Sequence, residues 1–204
     1  MNTSKIILDL CGGTGAWSKP YKDGGYKVIN ITLPRYDVKQ VARRGDALEL
    51  RLKTTSQHVP MRQVHGILAA PPCTEFSLAK NSMPRNFEGA MSTVVACLQI
   101  IWDCRIYGNL KWWALENPRG FLRQFLGRPH YTFEAWWFGD NMKKPTDLWG
   151  YFTEPADKIN RGAVRPAYPR KGKGSWAYQH PTKGAPDRSI TPPAFAQAFF
   201  KANP

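Results

Sequence analysis

At 204 residues, the chain is long enough for one domain with a sizeable core and too short for two ordinary domains joined by a linker. Hydrophobic residues make up 42% of it, with no evident apolar run near the ~18 residues that a bilayer span needs, so a soluble protein without a membrane partner is expected. Lys and Arg outnumber Asp and Glu by 29 to 15, a net charge of +14, which points to a polyanion, nucleic acid first.

In chain order, Met1-Asn2-Thr3-Ser4-Lys5 leads directly into the apolar run Ile6 to Leu10, which reads as a buried strand and not as a signal peptide. A glycine-rich turn, Asp9-Leu10-Cys11-Gly12-Gly13-Thr14-Gly15, then joins that strand to an expected helix. Tyr26 to Ile31 and Gly66 to Ala70 repeat the apolar pattern and read as further buried parallel strands. From Glu88 to Tyr107, Ala90, Val94, Cys97, Leu98, Ile101 and Trp102 recur at intervals of three and four. That periodicity places them on one face of a crossover helix. Trp112 to Leu115 and Asp147 to Phe152 give two more strand candidates. Strand, loop, helix and strand in alternation predict an α/β fold with a doubly wound, mostly parallel sheet in a single domain.

Between about Asp157 and Ile190 the composition turns to Gly, Pro and basic residues around Trp176, Tyr178 and His180. Eight Lys and Arg stand there against Asp157 and Asp187, six of the net fourteen charges. After this loop-like stretch, Thr191-Pro192-Pro193 opens a short helix over the apolar residues to Phe200. There is no internal repeat.

The four cysteines, Cys11, Cys73, Cys97 and Cys104, match neither a zinc spacing nor a disulfide framework. Reduced thiols and a cytoplasmic location follow as expectations. Cys97 and Cys104 fall on the crossover helix as core residues. Cys73 is different, because Pro71-Pro72 cannot continue a sheet ladder and so end the strand just before it. It is placed at the carboxyl edge of a strand, where open α/β sheets put their ligands. Glu116-Asn117-Pro118 follows the next strand, so an acid is placed to stand beside that thiol.

The glycine turn at Asp9 to Gly15, the Pro71-Pro72-Cys73-Thr74-Glu75-Phe76-Ser77 loop and Glu116-Asn117 together resemble the cytosine-5 DNA methyltransferases. That family carries an Asp-Leu-Phe-x-Gly-x-Gly cofactor loop, a Pro-Cys-Gln-x-Phe-Ser nucleophile loop and a Glu-Asn-Val strand end. The resemblance covers roughly residues 5 to 152 and resumes at 189 to 204. It implies a class I S-adenosylmethionine-dependent methyltransferase, Rossmann-like, with Cys73 as nucleophile, Glu116 holding and protonating ring nitrogen 3 of cytosine, and Asn117 fixing the loop. It implies further that Asp9, Cys11, Gly12, Gly13, Thr14, Gly15 and Pro71 bind S-adenosylmethionine. An acid expected after the third strand, Asp37 or Asp46, would meet the adenine amine. Ser77, Lys143, Lys144, Arg170, Lys171, Lys173, Trp176 and Tyr178 are the candidate nucleic-acid contacts.

Departures from the family pattern are visible. Cys11 stands where a Phe packs on the cofactor, Thr32 where an acid holds the ribose, Thr74 where a Gln is usual, and Pro118 where a Val is usual. The arginine element that approaches the cytosine carbonyl is replaced by Met142-Lys143-Lys144, and Thr191 is a weak cofactor contact. Only residues 155–190 stand in for a target recognition domain, an economy that suggests a phage or mobile element. The expected protein is a monomer acting on DNA. Cytosine modification in RNA or free nucleotides, and a catalytically weak basic DNA-binding protein that keeps the fold, stay open as alternatives.

Overall fold

The computed structural model describes residues 4–80, 84–140, 144–156 and 190–204. Its centre is a six-stranded sheet in the order β2-β1-β6-β7-β9-β8. Strands β1 (Ile6–Leu10), β2 (Lys27–Ile31), β6 (Val64–Ala69) and β7 (Trp112–Pro118) run parallel. The remaining two, β8 (Tyr131–Phe133) and β9 (Thr146–Tyr151), close the other side through antiparallel pairing. A second, three-stranded antiparallel sheet is built from β3 (Ala42–Arg44), β4 (Ala47–Arg51) and β5 (Ser56–Pro60). Its short, charged strands carry too little apolar run to be visible as strands in the sequence.

Alternation along β1 divides the core between the two faces of the large sheet. Ile6, Leu8 and Leu10 pack with Val94, Cys97, Ile101 and Cys104 of helix α2 (Phe87–Tyr107) and with Leu48 and Leu50 of the small sheet. Ile7 faces the other way, toward Tyr21 of α1 (Lys19–Asp23) and Phe195 and Phe199 of α4 (Pro193–Ala202). A one-turn helix, α3 (Arg123–Leu126), follows β7. The second face is aromatic: Phe195 stacks on Phe133 at 3.9 Å between ring centroids and meets Trp17 at 6.1 Å. Fully buried side chains of this size contribute about 1.5–3 kcal/mol each, which anchors the C-terminal helix to the sheet. Strands covered on both faces explain why the sequence reads there as continuous apolar runs.

The helix expected after the glycine turn is α1, which begins at Lys19, because Cys11, Gly13 and Gly15 hold left-handed backbone that no helix accepts. Three expectations need correction. The strand β7 runs through Glu116, Asn117 and Pro118, since β9 pairs with it antiparallel as far as Pro118 opposite Thr146. Trp102 does not share the core face of α2: it is 58% exposed. And α2 is by length and composition apolar enough to cross a membrane, although its Val94, Cys97, Ile101 and Cys104 side is packed into the core.

Candidate active site

The register between β6 and β7 ends at Ala69 opposite Leu115. Because β7 continues and β6 does not, Glu116 and Asn117 project past the end of β6, where the Pro71-Pro72-Cys73 turn lies. The Asn117 side chain is buried, and its Nδ2 donates to the Pro71 carbonyl at 3.0 Å. This bond ties the two strand ends together. Cys73 and Glu116 interact electrostatically, and Lys144 acts on both. The Lys144 Nζ also donates to the Ile190 carbonyl at 3.0 Å, which brings the start of the C-terminal segment, with Thr191 next in sequence, to the same edge.

The electrostatics of the cluster set its protonation. Burial raises the Cys73 pKa, the Glu116 carboxylate raises it further, and Lys144 pulls it down in part. At neutral pH Cys73 is a thiol in the free protein. Burial likewise raises Glu116, Lys144 lowers it, and Asp147 raises it. A carboxyl group held toward its neutral form is one that can give a proton.

Residues beyond the sequence motif brace the nucleophile loop. The Phe76 and Ser77 amides both donate to the Cys73 carbonyl, at 3.0 and 2.8 Å. Arg85 spreads its guanidinium over the carbonyls of Glu75, Ser77 and Lys80 and lies 4.7 Å from the Phe121 ring centroid. Glu75 accepts from Lys80 Nζ at 2.6 and 2.7 Å and from the Asn86 amide at 2.8 Å, which fastens the loop to the N-terminus of α2. Phe76 is fully buried beneath it, and Ser77 pairs with Gly120. The Ser77 hydroxyl is occupied by the Ala79 amide at 3.1 Å, so it shapes the turn. Beside Glu116, Asp147 is fully buried and held by both nitrogens of an Arg123 fork and by Thr132. The longer-range partners, Arg123 and Thr132 to Asp147 and Ser77 to Gly120, are far from their mates in sequence.

At the end of β1, the glycine turn is held by its backbone. The Cys11 amide donates to Ile31 at 2.8 Å, Gly15 to Gly12 at 2.9 Å, and Asn30 Nδ2 reaches the Gly13 carbonyl at 3.0 Å. Asp9 is 0% exposed, accepts from the Ser18 hydroxyl at 2.5 Å, and is roofed by Gly12, where a Cβ would fall 2.2 Å from its carboxyl carbon. It supports the turn from beneath instead of lining it. Desolvation raises its pKa to about 6 despite the Ser18 bond. Gly13 and Thr14 are exposed at the tip. The Cys11 thiol turns toward α2 and pairs with Cys97, whose pKa is held well up by that bond and by burial. Ser18 was within reach of sequence reading, as a cap-type residue just before a proline-containing helix start.

The remaining candidates separate. Asp37 caps the short turn Val38–Gln40, accepting from the Lys39 amide at 2.9 Å, and acts electrostatically on Cys11. Thr32 gives its carbonyl to the Tyr36 amide at 2.9 Å. Asp46 sits on the exposed β3–β4 hairpin, with its carbonyl bound to Met61. Met61 in turn abuts Gly108 at the far end of α2, so Asp46 belongs to the opposite edge of the sheet from Cys73. Lys143, Arg170, Lys171, Lys173, Trp176, Tyr178 and His180 lie outside the described residues. Among the described residues no His, Cys, Asp and Glu cluster suits a metal ion.

Neither protein-family models nor curated proteins gave a match to this chain. The class that the coordinates define is therefore the coarse one: a mixed α/β protein with a mostly parallel central sheet, compatible with a Rossmann-like fold.

Proposed function

We propose that the protein transfers a methyl group from S-adenosylmethionine to carbon 5 of cytosine in DNA. One arrangement carries the reading: Cys73, Glu116, whose pKa burial raises, and Lys144 act on one another electrostatically where β6 ends and β7 runs on, and β6 lies directly beside β1 with its glycine turn.

The glycine turn fits the methyl donor's amino acid end. Among the described residues, Asn30 Oδ1 is a buried acceptor without a hydrogen-bond partner, and it sits at this turn. Unpaired buried acceptors cost free energy until a donor meets them, and an ammonium group carries three donors. Gly12, Gly13, Thr14 and Gly15 would hold that end, with Asp37 nearby. When bound, S-adenosylmethionine supplies an electrophilic methyl group.

The chain's own residues do the rest. Carbon 5 of cytosine is a poor nucleophile until carbon 6 is attacked. Cys73 loses its proton as the base enters, and its sulfur bonds to carbon 6. Glu116 gives its proton to ring nitrogen 3, which takes up the electron pair displaced from the ring. After methylation the carbon 5 proton leaves to a base, the sulfur–carbon 6 bond breaks, and Glu116 takes back the nitrogen 3 proton. Lys144 offers a cation to the base carbonyl and opposes the charge building on the ring. A base within a duplex would have to be extruded to reach this edge.

The test is transfer of labelled methyl from S-adenosylmethionine to duplex DNA, single-stranded DNA, RNA and deoxycytidine nucleotides, with 5-methylcytosine identified in the product. DNA is the expected acceptor, and Cys73→Ser is expected to lower the rate by about 10⁴-fold or more. No transfer by the native chain, or equal transfer by Cys73→Ser, rejects the reading, and preference for RNA or nucleotides moves it to those substrates.

A further inference from the structure

The outer side of α2 carries a pattern that the core does not use. Glu88, Ser92, Val95, Gln99, Trp102 and Ile106 are all exposed and follow one another at intervals of four, three, four, three and four. That is a 3.5-residue repeat, the spacing of a helix that packs along another helix. Its apolar members are exposed by half or more: Val95 by 56%, Trp102 by 58% and Ile106 by 52%. The stripe stands as a ridge above a groove of about 550 Å³ floored by Leu98, Trp113 and Tyr151. An exposed apolar patch of this kind marks an interaction surface.

We propose that this face binds a second copy of the chain, α2 against α2 and antiparallel about a twofold axis near residue 97. The occupant is named by complementarity. An antiparallel twofold places Glu88 against the partner subunit's Ile106 and within reach of its Arg105, Ser92 against its Trp102, and Val95 against its Gln99. Glu88 with the partner's Arg105 then matches acid to base, Ser92 with the partner's Trp102 matches a small side chain to a large one, and each occurs twice by symmetry. A parallel pairing would instead stack Trp102 on Trp102 and Glu88 on Glu88. Arg105 is exposed and stands 5.7 Å from the Tyr151 ring centroid, at the end of the ridge that Glu88 of the other copy approaches. The sequence alone points to a monomer, with Trp102 on the core face of α2, so the two expectations differ in oligomeric state. The net charge of +14 opposes association, and salt screens that repulsion beyond a Debye length, about 8 Å at physiological ionic strength, so the contact is tested at that salt or above. The inference does not depend on the methyl-transfer reading.

The experiment is sedimentation equilibrium of the full chain from micromolar to millimolar concentration. The native protein is expected at twice the chain mass of 23.1 kDa, and Trp102→Glu and Val95→Lys at the single mass with unchanged circular dichroism. Glu88→Arg is expected to dissociate the pair, and Glu88→Arg with Arg105→Glu to restore it. A native chain that stays at the single mass throughout, whether because another protein or another segment covers the ridge, overturns the proposal. So does a double-mass species that both Trp102→Glu and Val95→Lys leave intact. Dissociation by Glu88→Arg without rescue by the charge exchange overturns the antiparallel register.

Discussion

The glycine turn at Cys11 to Gly15 and the nucleophile loop at Cys73 to Lys80 occupy the same edge of the sheet, yet they are held by opposite means. The first is fixed by backbone: left-handed residues at 11, 13 and 15, main-chain bonds to Ile31 and within the turn, and a buried carboxyl group below. The second is fixed by charge: the Arg85 fork on three carbonyls and Glu75 gripped by Lys80 and Asn86. A loop held by its own backbone keeps close to whatever it binds, because no side chains stand between. A loop braced by side chains from both of its ends holds one group, here the Cys73 thiol, at a set place. The difference separates a turn suited to hold a ligand from a loop suited to present a reacting atom.

If the glycine turn depends on backbone fit, Gly12→Ala is the most damaging change in it. The added Cβ would lie 2.2 Å from the Asp9 carboxyl carbon, and that carboxyl group is fully buried. Denaturant unfolding is expected to show a loss on the order of 3–5 kcal/mol, together with loss of S-adenosylmethionine binding in calorimetry. Native-like stability in this variant would show that the turn is looser than described.

The buried carboxyl below the turn gives a second, pH-dependent effect. The folded pKa of Asp9, about 6, lies above its ordinary value of 3.8, so the folded state binds the proton more tightly than the unfolded chain. Stability from this group is full below about pH 4, declines as pH rises to about 6, and stays lower above it, by on the order of 3 kcal/mol. Asp9→Asn, which can keep a Ser18 hydrogen bond, is expected to gain on the native chain across that window in urea melts. Parallel stability profiles for the two proteins would mean that Asp9 ionises normally.

Breaking the charged brace should act on rate and leave the turn alone. Arg85→Met removes the donor to three carbonyls while keeping an apolar stem against Phe121. The expected result is about a 10-fold fall in kcat with an unchanged KM for S-adenosylmethionine, partly rescued by Arg85→Lys. A change confined to KM would place Arg85 in binding instead of in positioning Cys73.

Much of this architecture was legible because its central strands are buried on both faces. Ile6 to Leu10, Tyr26 to Ile31 and Gly66 to Ala70 show as apolar runs punctuated by Gly and Pro, and Pro192-Pro193 announces α4. The small sheet β3–β5 was not legible, since Arg43, Arg44, Glu49 and His58 interrupt every short strand and its apolar residues find their partners on α2. Periodicity located α2 but overextended its core face, because the core takes Val94, Cys97, Ile100, Ile101 and Cys104 and leaves Trp102 outside. The residues of the site carried by motif, Cys73 and Glu116, could be named in advance. Those that tune and brace it could not: Arg85, Asp147 with Arg123, and Asn30 act through contacts that only the folded chain creates. Asp46 shows the converse, an acid at a plausible spacing that the hairpin carries to the wrong edge.

The most direct measurement of the central claim is the covalent bond itself. Duplex DNA containing 5-fluorocytosine has no carbon 5 proton to release, so in the presence of S-adenosylmethionine the sulfur–carbon 6 bond should persist. The expected result is a complex that survives denaturation, with peptide mapping placing the attached nucleotide on Cys73, and no such complex from Cys73→Ser. Absence of a denaturation-resistant complex with the native chain, or its formation without the Cys73 sulfur, would contradict the account.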